Sequence, residues 1–109
     1  MRTDRERYWI YVVELRPKRG SASGTAREVY VGSSAFLPEV RLQKHYADAL
    51  GASRHVRDRG VRLLPHLYDR LNPVVGRERA KRVEQQLADS LHARGYRVYG
   101  ACKPPACFI

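Results

Sequence analysis

"REVYVGSSAFLPEVRLQKHY", residues 27 to 46, opens with the composition of a β-strand and closes with that of a helix. In an extended strand Tyr30 and Gly32 have the same parity, so they share one sheet face. A glycine at that place leaves room for a ligand or for another backbone. Pro38 suits the first turn of a helix, which the pattern carries to about Leu50. At about 100° per residue, Val40, Leu42, Tyr46, Ala47 and Leu50 fall on one broad arc. Arg41, Lys44, His45 and Asp48 fall on the other, the solvent side by this reading. Arg41 and His45 are i,i+4 neighbours, close enough to reach one target.

The strand needs a partner, and the preceding segment supplies one. "YWIYVVEL" (8 to 15) is β-branched and aromatic, and "RPKRGSASGTA" (16 to 26) is a polar Gly/Ser loop. Together they predict a hairpin with a long connection. "GASRHVRDRG" holds a short helical piece closed by Gly60. "VRLLPHLYDRL" (61 to 71) has strand-like content, but Pro65 keeps it at an edge or breaks it. "GRERAKRVEQQLADSLHARG" (76 to 95) is the longest helix, stopped by Gly95. "YRVYGA" has the content of a short final strand. The expectation is an α+β domain over residues 1–100, a small antiparallel sheet of about three strands flanked by helices, with a loose tail at 101–109.

Charge narrows the partners. The 109 residues carry 21 Lys and Arg against 11 Asp and Glu, a formal charge of +10. Such an excess argues for a polyanion, most simply a nucleic acid. No run of about 18 apolar residues and no amphipathic helix with a bulky aromatic face speaks for a membrane. "MRTDRERYW" lacks the apolar core of a signal peptide. Cys102 and Cys107 make no disulfide framework, so a reducing cytoplasm is expected. With two prolines between them and no second ligand pair, they make a poor zinc site. His66 and His92 read as structural or exposed. Arg54, His55, Arg57, Arg59 and Arg62 crowd one stretch, which either contacts phosphates or simply solubilises the surface.

The long helix holds an anomaly. Ala80, Val83, Leu87 and Leu91 form its apolar stripe, and Glu84 projects inside that arc. A carboxylate aimed at a core is unfavourable unless it is paired or binds a cation. It is either an edge glutamate that finds an arginine or a metal ligand. One carboxylate completed by waters and phosphate oxygens is a normal way to hold Mg²⁺.

In order along the chain, these residues resemble the GIY-YIG nucleases. Trp9-Ile10-Tyr11 stands where that family has Gly-Ile-Tyr. Tyr30-Val31-Gly32, followed by Ser33, stands for Tyr-Ile-Gly. Arg41 falls at the family's arginine, His45 at its His or Tyr, and Glu84 at its metal-binding glutamate. The resemblance spans roughly residues 8 to 100. Two departures mark it: Trp9 replaces a glycine, and the family's asparagine after the glutamate is missing, Asn72 being the only asparagine present.

The resemblance implies a metal-dependent endonuclease acting on DNA, with RNA left open. Tyr11, Tyr30, Arg41, His45 and Glu84 would be its catalytic residues. Glu84 would hold Mg²⁺ or Mn²⁺, Arg41 would neutralise charge on the phosphate, and Tyr11 or Tyr30 would take a proton from water, with a lean to Tyr11. His45 would accept a proton from the tyrosine or hold the phosphate. Ser33, Lys44, Arg54, Arg57, Arg59 and Arg62 are the expected nucleic-acid contacts. A monomer or weak dimer is expected, in the cytoplasm or on a bacterial nucleoid. Larger relatives gain targeting from a second domain, which leaves room for a targeting partner protein. The alternative is a non-catalytic, basic nucleic-acid-binding module of the same fold.

Overall fold

A computed structural model describes residues 6–17, 27–47 and 53–100. The connection at 18–26, the expected end of the first helix at 48–50 and the tail at 101–109, with its cysteines, lie outside the described residues. The elements run β1 (Arg7–Leu15), β2 (Glu28–Ser34), α1 (Pro38–Tyr46), α2 (Arg54–Arg59), β3 (Gly60–Leu63), β4 (Val74–Val75), α3 (Arg77–Ala93) and β5 (Arg97–Gly100). Two single-turn 3₁₀ segments, Pro65–Leu67 and Asp69–Leu71, lead from β3 to β4.

β1 and β2 pair antiparallel, with Tyr11 opposite Gly32 and Val13 opposite Tyr30. The sheet order is β3-β1-β2-β5, and β4 pairs with β1 beyond β3. The chain is therefore mixed α+β, but the expectation of about three antiparallel strands needs correction. Among the described residues there are five strands, and β5 runs parallel to β2. The physical reason is the connection: α3 runs between β4 and β5, a crossover long enough to return the chain in the same direction as β2.

β1 is buried almost throughout, at Ile10, Tyr11, Val12, Val13 and Leu15. Such a continuous apolar run marks a strand covered on both faces. Tyr11, Val13, Tyr30 and Glu28 share one face by register, and α1 and α2 bring His45 and Arg59 to it. Ser33 has the opposite parity and meets Glu84 of α3. α3 buries Ala80, Leu87, Ala88 and Leu91. It ends where Gly95 takes φ +96°, a conformation that a side chain would strain.

Asn72 completes the open edge of β1. Its Oδ1 accepts from the Ile10 N–H and its Nδ2 donates to the Ile10 carbonyl, both at 2.7 Å. The side chain thus stands in for a strand between β3 and β4, which accounts for the sole asparagine without a substrate. Among the described residues, no helix is long and apolar enough to cross a membrane.

Candidate active site

Four side chains converge on the α1 face of the sheet. Tyr11 and Tyr30 have ring centroids 6.1 Å apart. His45 stands 5.9 Å from Tyr11 and 5.6 Å from Tyr30, edge-on to the latter. Arg41, one turn before His45, hydrogen-bonds Tyr11.

Gly32 has a definite task here. A Cβ at that position would lie 2.7 Å from the Tyr11 hydroxyl oxygen. The absent side chain makes room for the phenol of its own cross-strand partner, so the space expected for a ligand is filled by Tyr11.

The structure changes the expected sides of α1 in part: Leu42 packs against the core as the pattern has it, but His45 does too. His45 is fully buried, while Val40 and Tyr46, placed by pattern on the core side, are exposed at 43% and 39%. Arg41 is half-buried rather than on the solvent side. The cause is polar pairing. The Ser53 backbone N–H donates to His45 Nδ1 at 2.7 Å, and Nε2 lies 2.8 Å from the Tyr11 hydroxyl. An imidazole satisfied at both nitrogens can be buried at little cost.

Those bonds also assign the tautomer. Burial, followed by the charge of Arg41, pushes the His45 pKa down to about 4, so the ring is neutral near pH 7. Its Nδ1 accepts from Ser53 and therefore carries no proton. Nε2–H must then donate to Tyr11. In this arrangement His45 donates to the phenol oxygen of Tyr11.

Both phenols are held above the ordinary tyrosine range. For Tyr11 burial is the largest cause, then the neighbouring Tyr30, with Arg41 opposing and Glu84 adding to the rise. For Tyr30 burial again leads, a hydrogen bond with the Ser53 side chain opposes it, and Glu84 raises it. Ser53 escaped the sequence reading. A serine just before a helix reads as a cap, yet its side chain makes no cap bond to α2 and serves Tyr30 instead.

Glu84 is half-buried, inside the arc that the pattern assigned to it. Ser33 Oγ donates to its Oε1 at 2.6 Å. The hydroxyl of Ser33, an expected nucleic-acid contact, orients the carboxylate. Among the described residues no group of three or more His, Cys, Asp or Glu could enclose a metal. A single oriented carboxylate suits a hard cation that keeps most of its waters.

The basic stretch divides. Arg54 is exposed. Arg57 pairs with Asp58 at 2.9 Å and Arg62 with Glu14 at 2.7 Å, both near the surface. Arg59 turns inward: Nη1 donates to Glu28 at 2.6 Å and to the Arg16 carbonyl at 2.7 Å. Its guanidinium also lies over Tyr99, 5.1 Å from the ring centroid. Buried Glu28 needs that cation, so the guanidinium is engaged within the fold. His66 and Asn72 lie outside the tyrosine cluster, Asn72 on the edge of β1.

Comparisons with family models, with curated proteins and with solved structures find no match to this chain.

Proposed function

We propose that this chain is a divalent-metal-dependent endonuclease that hydrolyses DNA phosphodiester bonds. The observation that supports it most is the convergence of Tyr11, Tyr30, Arg41 and His45 on one sheet face, within electrostatic reach of Glu84. The likeness to GIY-YIG nucleases in the order of these residues points the same way.

Glu84 would hold Mg²⁺ or Mn²⁺, whose chemistry is to act as a Lewis acid and to neutralise charge at the scissile phosphate. Ser33 keeps the carboxylate aimed. Arg41 offers a planar, permanently charged fork that stabilises the five-coordinate phosphorus as negative charge builds. Tyr11 is the base. Its oxygen receives the His45 Nε2–H and a hydrogen bond from Arg41, two donors that favour the phenolate over the phenol. Tyr30, its ring centroid 6.1 Å from that of Tyr11, orients the attacking water. Lys44 and Arg54 serve the flanking phosphates.

A second reading, a nucleic-acid-binding module without turnover, draws support from the deep burial of Tyr11, at 1% exposure. A supercoiled plasmid separates the two. With Mg²⁺ or Mn²⁺ the nuclease reading expects nicked circles, and with EDTA none. Plasmid that shifts on a gel but stays supercoiled under all three conditions would establish the second reading.

A further inference from the structure

Just past β2 the chain clusters exposed apolar side chains. Phe36 and Leu37 are 46% and 50% exposed, and Val40, in the first turn of α1, is 43% exposed. Three large apolar side chains open to solvent within five residues form a patch that calls for a partner.

The patch is joined to the candidate site at both ends. Ser33, three residues before Phe36, holds Glu84. Lys44, three residues after Arg41 on α1, sets its ammonium 4.5 Å from the centroid of the Phe36 ring. The Phe36 N–H donates to Ser34 Oγ at 2.9 Å, which fixes the turn that presents the ring. Helix neighbours three apart stand about 5–6 Å from one another at Cβ. The reach from Arg41 across to Lys44 is thus on the scale of a single nucleotide step, and the length of the Lys44 side chain extends it toward the Phe36 ring.

We propose that Phe36 is a stacking platform for an unpaired base of DNA, one or two nucleotides from the phosphate that Arg41 engages. The register of that base rests on the nuclease reading. The charge around the ring selects the occupant. Lys44 lies against it, Arg41 lies one turn away, and the chain carries +10 overall, which suits a base attached to phosphates better than an apolar protein segment. In an intact duplex both faces of a base are covered by stacking, and the ring finds nothing to cover. The substrate class is therefore DNA with splayed or single-stranded nucleotides, such as a flap, bubble or branch, rather than continuous duplex.

Binding measured in EDTA tests this apart from cleavage. Phe36→Ala should weaken a short oligothymidylate about tenfold and a blunt duplex by less than about twofold, as expected when one base–aromatic stack is lost. Phe36→Trp should keep single-strand affinity, and melting curves should show all three proteins folded. One abasic position, scanned along the strand, should lower wild-type affinity at a single register and have no such effect on Phe36→Ala. Unchanged oligothymidylate affinity in Phe36→Ala would overturn the platform whatever the plasmid assay shows. So would conversion of a dimer to a monomer by Phe36→Ala at constant affinity, which would make the patch a contact between copies. Single-strand binding that depends on Phe36, with no cleavage under any metal, would sustain the platform and reject the nuclease reading.

Discussion

Among single residues, two protons decide the chemistry. Tyr11 must be a phenolate to act as base, yet burial holds it protonated well above neutrality. The cleavage rate should therefore climb about tenfold per pH unit from pH 7 to pH 9, in proportion to the phenolate fraction. His45 should add no limb near its ordinary value of 6.5, because it stays neutral down to about 4. A pH–rate profile measured at saturating metal checks both, and a bell with an arm near 6.5 would refute the tautomer assignment. His45 also sets a stability term. Its folded pKa lies below its unfolded value, so the unfolded chain binds the extra proton between about pH 4 and 6.5. Stability from this group is complete above that window and falls as pH drops through it, by roughly 3 kcal/mol. Denaturant titrations of wild type and His45→Gln should show this acid loss in the former and its absence in the latter.

At the scale of elements, the legible parts were those that period and composition determine locally. The β1–β2 pairing followed from two strand-like runs, and α3 from its apolar stripe and the glycine at its end. Glu84 stood out because a carboxylate inside that stripe needs a reason. What escaped depended on partners distant in sequence. α1 turns its polar side inward because Ser53 and Tyr11 satisfy His45, and neither bond leaves a periodic trace. β5 announces a strand but not its direction, and β4, two residues long, is too short for any pattern. Arg59 and Arg54 look alike in sequence, yet one is committed to Glu28 and the other faces solvent. Arg59→Ala should leave Glu28 an uncompensated buried charge and lower stability by about 3 kcal/mol, with little change in DNA affinity. Arg54→Ala should do the opposite. Melting curves paired with binding isotherms distinguish them, and a loss of DNA affinity from Arg59→Ala in a fully folded protein would restore it as a phosphate contact.

For the whole molecule, a sheet covered by α3 on one face and by α1 and α2 on the other carries Lys44 and Arg54, the cations proposed to meet a polyanion. Non-specific DNA affinity should fall roughly tenfold or more between 50 and 200 mM salt, through counterion release. An affinity flat in salt would argue against a phosphate-tracking surface. The central claim is narrower: the tyrosines, Arg41 and Glu84 form one metal-dependent hydrolytic site. Glu84→Gln keeps the shape of the side chain and the hydrogen bond from Ser33 while removing the charge that a cation needs, so folding and DNA binding should survive it. The most direct measurement is the nicking of supercoiled plasmid in Mg²⁺ by wild type and by Glu84→Gln, side by side at equal bound fraction. Wild type should give nicked circles and the variant a rate lower by about a hundredfold or more, the scale on which lost charge stabilisation appears in catalysis. Equal nicking by both proteins would contradict that claim.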